Sequence, residues 1–404
     1  MVDTAGQCKH LAVVAHDARP ARVLAPLLLV GLALHSWPAG DFLQLLWPAT
    51  VILMIWVAGA AIWAGTATGR AALAIALPPA CVWAYMATCV LSIAAAENPA
   101  RASVAAGKIV LSILGTYTLL AVALTSQCSR RWILTTLVAS SATVLAYALW
   151  QSAAGVPVVA FLDSPLKLGT FLAMTVTAAS AFLLRLKSWL ARPTATVLVA
   201  GALTICPSAW ACLGVVVGVI VGAFLTGNAR RWVVVTAVVC TACVVAAATA
   251  GRLPPWLADL RLMETDGVDV RQRYIEWQAE LNLLSDRAGA GAGIGCLNDH
   301  RSTYYLRLPK RNTIAEFDQN GWLATAAETG LVGLLALSWV FYHYWSRAYQ
   351  LRRDFAASAA LAGLIGAAIS NMGSALQYAG ILPAFVLLLA LVDSATTAGD
   401  TEGR

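Results

Sequence analysis

Apolar segments of the kind that cross membranes recur along almost the whole chain, with short polar breaks between them. A helix needs ~20 apolar residues to span the hydrocarbon core of a bilayer. The pattern predicts about twelve spans, at residues 23–36, 42–64, 71–94, 104–125, 132–154, 168–186, 195–206, 209–226, 232–250, 320–345, 356–371 and 379–394. We therefore expect an all-α, polytopic membrane protein.

One long apolar stretch, from Ala195 to Leu225, fits this count only if it is broken in the middle. Pro207 supplies the break, because proline lacks a backbone N–H and clashes with the preceding helical turn. The two short spans on either side of Pro207 are then predicted to meet at the outer face.

The basic residues between the spans indicate the orientation. With the N-terminus inside the cell, the Lys and Arg residues of alternate connections all lie on the cytoplasmic side, as the positive-inside rule requires. These residues are Arg70, Arg130, Arg131, Arg185, Lys187, Arg192, Arg230, Arg231, Arg347, Arg352 and Arg353. The expected organisation is a cytoplasmic tail at 1–22, nine helices within 23–251, an outer loop at 252–319, three helices within 320–394 and a cytoplasmic tail at 395–404.

The composition excludes a soluble enzyme. Hydrophobic residues make up 60% of the chain, charged residues only 12%, and the mean hydropathy is +0.74, whereas soluble domains are about 25% charged. The net charge of +7 reflects orientation in the membrane, so no nucleic-acid partner is expected. Cys240 and Cys243 form a CxxC inside an apolar run without His or carboxylate neighbours, so no metal is expected either.

The outer loop is the one sizeable polar interval, since residues 252–317 contain nine Lys or Arg and nine Asp or Glu. Function is expected there. Within it, VDVRQRYIEWQAELNLLSDR predicts an amphipathic helix capped by Asp269. Its apolar stripe comprises Tyr274, Trp277, Leu281 and Leu284. We expect this helix to lie along the membrane surface.

Two arginines stand near the predicted start of that helix. Arg271 and Arg273 would add to the positive potential of exposed backbone N–H groups, a setting suited to phosphate. The following segment AGAGAGIG, which contains Gly293 and Gly295, is flexible enough to bring backbone close to a ligand. On these features alone, a flexible surface loop with solvated arginines is an equal alternative.

Three further elements agree in order and spacing: R-x-x-x-W from Arg273 to Trp277, G-I-G from Gly293 to Gly295, and QNGWLATAAETGLVGLL from Gln319 to Leu335. Together they resemble the C-terminal signature of the O-antigen ligase and polymerase family. In the family pattern H-N-x-x-L followed by A-E-x-G-x-x-G, the matching residues are Asn320, Leu323, Ala327, Glu328, Gly330 and Gly333. A weaker match, YALWQSAAGVP at Tyr147–Pro157, resembles the family's aromatic-x-x-Q-x-x-x-G.

The resemblance implies a glycosyltransferase with a GT-C-like helical fold in the bacterial inner membrane, its large loop in the periplasm. Such an enzyme takes glycan from an undecaprenyl-diphosphate-linked donor to a sugar hydroxyl on lipid A core or on a growing polysaccharide. Arginines hold the diphosphate without metal or cofactor, since a guanidinium pairs bidentately with phosphate. Arg273 is the first such residue and Arg271 the second; Asn320 and the loosely aligned Lys167 are further substrate-binding residues.

Two positions depart from the family pattern. The family's periplasmic His aligns with Gln319, which cannot act as a base, and an Arg between the seventh and eighth spans aligns with Pro207. In one interpretation Gln319 orients the acceptor while Asp318, Glu316 or His300 takes the proton, Asp318 being the best placed. In a second, arginine electrostatics and diphosphate departure carry the reaction in a divergent polymerase. In a third, catalysis is lost.

Two further arginines of the outer loop are candidate binding residues. Arg307 and Arg311 bind either substrate or anionic headgroups of membrane lipids. Trp277, Gly293, Gly295 and Glu328 are structural supports. In a straight helix Glu328 would lie ~12 Å below Asn320.

Two other function classes stay open. A transporter or flippase of lipid-linked saccharides would be expected to show internal repeats and buried charges along a central path, and no repeat is visible in the sequence. The second alternative is a catalytically impaired partner in a polysaccharide assembly complex.

Overall fold

A computed structural model describes residues 77–124, 127–160, 164–227, 268–306, 320–373 and 381–402, together with positions 162, 234–235, 238, 241–242 and 376. Its α-helices are α1 (Ala80–Leu91), α2 (Pro99–Ala123), α3 (Gln127–Ala154), α4 (Pro165–Arg185), α5 (Ala191–Ile205), α6 (Ala209–Leu225), α7 (Val268–Asp286), α8 (Leu297–Leu306), α9 (Gly321–Gln350), α10 (Phe355–Ser370) and α11 (Leu382–Glu402). No strand occurs in these ranges, which confirms the all-α prediction for this part of the chain.

Nine of the predicted apolar segments fall on helices, whereas those at 23–36, 42–64 and 232–250 lie wholly or mostly outside the described residues. Within the described part, three helices are long and apolar enough to cross a membrane. They are Arg130–Ala154 within α3, Pro165–Arg185 and Gly321–Gln350. The length and apolar character of these helices are those of a membrane protein.

The centre of the bundle is formed by α4, α6 and α10, which approach one another through small residues. Gly214, Gly218 and Gly222 repeat every four residues along one face of α6. A Cβ at any of them would crowd a residue of α4, namely Ala173, Thr177 or Ala181 in turn. Small residues at this spacing let helix backbones pack closely in lipid, where the hydrophobic effect does not drive association.

Local polar side chains begin several helices. Asn98 caps α2 by accepting from the N–H of Arg101, and Ser208 caps α6 by accepting from Ala211. Each cap satisfies an N–H that the first helical turn leaves without a partner. Pro207 stands between α5 and α6, so the chain breaks at the residue that the sequence predicts.

At one end of the bundle, arginines join the helices; we call this the arginine end. Arg130 pairs with Asp354 at 3.1 Å, and Arg347 pairs with Asp393 at 2.7 Å. Arg185 donates to the carbonyl of Leu225 at 3.0 Å. Two tryptophans nearby are strongly exposed: Trp132 by 68% and Trp189 by 83%. Exposed indole rings beside arginines are typical of a membrane interface.

The opposite end, here called the loop end, contains the connections 92–98, 155–160, 206–208 and 371–373 together with residues 287–300. The N–H of Ile294 donates to Ser92 Oγ at 3.1 Å, which joins the polar loop to the connection between α1 and α2. A Cβ at Gly169 would meet Pro207, and one at Gly373 would meet Trp210, so the starts of α4 and α6 and the end of α10 also lie together. The connections that the sequence predicts to be outside, where described, therefore meet at one end.

This grouping makes the orientation testable. Cys128 is exposed at the arginine end, and Thr303 is exposed in α8 at the loop end. With every other cysteine replaced by alanine, we expect a membrane-impermeant maleimide to label Thr303→Cys in intact cells. A chain retaining only Cys128 should be labelled only after permeabilisation. Labelling of Cys128 in intact cells would contradict the predicted orientation.

Helix α9 is sharply bent at Gly330, where the backbone leaves the helical region (φ 74°, ψ −179°). In a straight helix Trp322 and Phe341 would lie about 28 Å apart at 1.5 Å per residue, yet their ring centroids are 5.1 Å apart. We call Gly321–Thr329 the first arm and Leu331–Gln350 the second arm. The first arm begins against α10, since the N–H of Gly321 donates to the carbonyl of Asn371 at 2.7 Å.

The structure corrects one sequence expectation and refines two others. Helix α7 begins at Val268, so Asp269 lies in its first turn and does not cap it. Helix α11 continues to Glu402, through most of the predicted tail at 395–404. The bend lies two residues after Glu328, so the spacing of ~12 Å from Asn320 along the first arm is kept. What differs is the direction of the first arm, which folds back beside the second arm and leaves Glu328 at the loop end beside Gly295.

Candidate functional site

The glycine-rich connection 287–296 fits against the bend of α9. The N–H of Ala292 donates to the carbonyl of Ala327 at 2.8 Å, and that of Gly293 to the carbonyl of Glu328 at 2.9 Å. In return, the N–H of Leu331 donates to the carbonyl of Ala288 at 2.9 Å. The connection thus supplies the backbone partners that the interrupted helix lacks.

Glycine is required in this connection by both conformation and space. Gly293 and Gly295 have φ of 95° and 73°, values that other residues rarely adopt. A Cβ at Gly293 would also overlap Ala96 in the connection between α1 and α2. Since the N–H groups of Ala292, Gly293 and Ile294 donate to protein acceptors, they are not directed at a ligand.

The side chain of Glu328 also binds the connection 287–296. Its side chain is 9% exposed, and its carboxylate accepts hydrogen bonds from the N–H groups of Gly295 and Leu297. Leu297 begins α8, so the carboxylate occupies the positive end of that helix. The structure gives Glu328 a supporting role around the bend.

Charged residues around α8 attach it to the start of α2. Glu97 pairs with Arg287 at 2.6 Å and lies 3.4 Å from Nδ1 of His300. Arg101 pairs with Asp299 at 2.5 Å. His300 is 5% exposed, and its Nε2 has no partner among the residues that the structure describes.

Helix α7 runs alongside the first arm of α9 and in the same direction. Ala279 and Leu283 of α7 share a buried apolar cluster with Ala324 and Ala327 of the first arm. Both helices lead toward the bend, because Ala288, just after α7, bonds to Leu331. Their N-terminal ends therefore lie on the same side, away from the bend.

This arrangement divides the predicted site residues into two groups. Arg273 lies six residues before Ala279, about 9 Å along α7, on the side where Asn320 begins the first arm. Arg287, at the opposite end of α7, lies about 21 Å from Arg273 along the axis and contacts the carboxylate beside His300. His300 and Arg273 therefore lie near opposite ends of α7.

Asn320 is the N-cap of α9. It is 3% exposed, and its Oδ1 accepts from the N–H groups of Trp322 at 3.1 Å and Leu323 at 3.3 Å. Asp318, Gln319, Arg307 and Arg311 lie outside the described residues, and Arg271 and Arg273 are described as helical backbone only.

The other predicted residues are at least partly accessible. Lys167 stands in the first turn of α4, half-buried at the loop end, and Trp277 is half-buried on α7. Leu281, part of the predicted apolar stripe, is 49% exposed, whereas Ala279 and Leu283 form the buried face. Leu281 therefore lies away from the buried face of α7.

The motif YALWQSAAGVP shapes the connection between α3 and α4. Gln151 is buried, and its Oε1 accepts from the N–H groups of Val159 at 3.1 Å and Ala160 at 2.6 Å. Gly155 has a φ of 72°. Both residues therefore hold the turn before Lys167.

Sequence reasoning missed Asn371, at the end of α10. Its carbonyl oxygen accepts from Gly321, directly after Asn320. It also borders an apolar pocket between α1, α2, α9 and α11. A polar residue following the apolar run of α10 is the signal that could have drawn attention to it.

No known protein-family model matches the chain, and no curated protein matches it significantly. The class of protein that the fold defines is an all-helical protein with helices able to span a membrane. A more specific assignment depends on the motifs and on the arrangement of α7 and α9.

Proposed function

We propose that the chain is a membrane glycosyltransferase of cell-surface polysaccharide assembly in the bacterial inner membrane, with twelve spans, a GT-C-like fold and the 252–319 loop in the periplasm. It transfers glycan from an undecaprenyl-diphosphate-linked donor to a sugar hydroxyl of lipid A core or of a growing polysaccharide. It acts as a ligase or a polymerase.

The parallel packing of α7 and the first arm of α9 is the observation that carries this proposal. Two helix N-termini lie on the same side, and each carries the partial positive charge of its helix dipole. The first turns of α7 contain Arg271 and Arg273. A diphosphate is the kind of ligand that two helix N-termini and two guanidinium groups stabilise together.

In the proposed glycosyl transfer, this positive charge holds the diphosphate of the donor. The acceptor hydroxyl oxygen bonds to the anomeric carbon, the bond from that carbon to the diphosphate oxygen breaks, and undecaprenyl diphosphate leaves with the electron pair. Arg273 and Arg271 stabilise the charge that develops on the leaving group. The hydroxyl proton passes to a base, for which Asp318 is the assigned residue because it directly precedes Gln319 and lies two positions before Asn320.

Complementation tests the proposal. The chain is expressed in three cell lines that lack, respectively, their O-antigen ligase, polymerase or flippase, and the glycan ladder is compared on gels with that of empty vector. We expect restored ladders in the first or second line. Restoration only in the third would identify a transporter, and restoration in none would favour a non-catalytic partner of an assembly complex.

A further inference from the structure

Five arginines converge on the connection between α9 and α10, at the arginine end. The guanidinium of Arg185 donates to the carbonyl of Arg353 at 2.7 Å and to that of Arg352, and so joins the end of α4 to this connection. Arg131, on α3, lies over the ring of Phe355, with its guanidinium carbon 5.6 Å from the ring centroid. We call the set Arg130, Arg131, Arg185, Arg352 and Arg353 the arginine cluster.

The arginine cluster has a large excess of positive charge. Among the residues that the structure describes, Asp354 is the one acid that contacts it, pairing with Arg130 at 3.1 Å. The other carboxylate oxygen of Asp354 caps α10. Arg130 is buried, whereas Arg131, Arg352 and Arg353 are exposed. Orientation in the membrane explains why arginines lie at this end, but it does not explain why three accessible guanidinium groups gather around one connection.

Exposed aromatic side chains border the cluster. Trp132 directly follows Arg131, and Trp189 stands in the connection after α4. The guanidinium carbon of Arg352 lies 4.7 Å from the ring centroid of Tyr349, which is also exposed. Tryptophan and tyrosine are enriched at the level of the lipid headgroups. The exposed guanidinium groups are therefore placed at the depth where phospholipid phosphates lie.

We propose that the arginine cluster binds the headgroup of an anionic phospholipid in the leaflet at the arginine end. Arg131, Arg352 and Arg353 donate to its phosphate oxygens, because a guanidinium pairs bidentately with phosphate and stays charged. Trp132 and Trp189 border its acyl chains. A lipid bound there joins α3 and α4 to the connection between α9 and α10. The site is away from α7 and does not depend on the transferase function.

Native mass spectrometry of the full chain, purified in detergent, tests the proposal. Dioleoyl phosphatidylglycerol, dioleoyl phosphatidylcholine or inorganic phosphate is titrated into the sample, and the bound fraction is measured from the mass of the complex. We expect wild type to bind the anionic phosphatidylglycerol at least about 10-fold more tightly than zwitterionic phosphatidylcholine. Equal affinity for the two lipids would overturn the proposal. Inorganic phosphate that binds as tightly as phosphatidylglycerol would show a site for a soluble anion, and would overturn it too.

Two variants test the cluster itself. Arg353→Ala removes an exposed guanidinium and keeps the backbone oxygen that accepts from Arg185. Arg131→Ala removes a second guanidinium, from α3. Each is expected to bind phosphatidylglycerol about 5-fold more weakly than wild type, the usual effect of one basic residue at an anionic membrane surface.

Arg192→Ala is the matched control, because Arg192 is exposed at the same end, in the first turn of α5, and its loss removes the same charge. Its affinity should equal that of wild type. Equal weakening in all three variants would mean a general attraction of the basic face, and wild-type affinity in Arg131→Ala and Arg353→Ala would place the lipid elsewhere. Either result contradicts the proposal. If one of these two variants does not fold, the other decides.

Discussion

Replacing Gly330 with alanine is expected to destabilise the protein by about 2–4 kcal/mol, or to prevent its folding. Its backbone (φ 74°, ψ −179°) lies in a region that only glycine adopts readily. A Cβ would also overlap the backbone oxygen of Gly289, and backbone cannot move aside as a flexible side chain can. Relief of the overlap would separate the connection 287–296 from the bend, together with the hydrogen bonds that join them.

Thermal unfolding of the purified chain, followed by tryptophan fluorescence, measures this effect. Gly115→Ala is the control, since Gly115 lies in α2 with nothing within 4 Å of an added Cβ. Alanine has the higher helix propensity, so the control should be as stable as wild type or slightly more stable. Equal melting temperatures for Gly330→Ala and wild type would show that the bend does not depend on glycine.

The sequence was sufficient to predict most helices in the described part, because each is a run of apolar residues bounded by recognisable signals. Pro207 with Ser208, and Asn98 with Pro99, mark helix ends by backbone chemistry that acts within a few residues. Asp269 shows the limit of such signals. It is a good capping residue, yet the helix begins one position earlier, within the usual uncertainty of helix boundaries.

The bend in α9 could not be predicted in the same way. An isolated glycine inside an apolar run is usually accommodated in a helix, and Gly333 lies in the helical second arm. What distinguishes Gly330 is the connection 287–296, which is distant in sequence and provides substitute hydrogen bonds. The supporting position of Glu328 depends on the same contact, so reading the helix as straight misplaced its carboxylate.

The candidate site was predicted only in part, for a related reason. Arg271, Arg273 and Asn320 could be proposed from the sequence because motifs and helix starts are local features. Which of them lie near one another depends on the parallel packing of α7 and the first arm, which no pattern in either segment indicates. The separation of His300 from Arg273 arises from that packing.

Replacing Arg273 with alanine is expected to lower the rate of glycan transfer by about 100-fold or more, the usual effect of removing a preorganised group that stabilises developing charge. Arg273→Lys should restore only part of the rate, because lysine keeps the charge but cannot pair bidentately with phosphate. The variants should fold like wild type, since the buried side chains that the structure describes on α7, Ala279, Glu280 and Leu283, lie toward its other end.

The rate is measured in membranes containing the lipid-linked donor, and the products are separated as a ladder on gels. Arg192→Ala is the control, because Arg192 is exposed at the arginine end, far from α7. It removes the same charge from the chain, so an effect of net charge alone would lower both rates equally. If Arg273→Ala and Arg192→Ala both retain the wild-type rate, the diphosphate is held elsewhere, and the parallel helix ends of α7 and α9 lose their proposed role in catalysis.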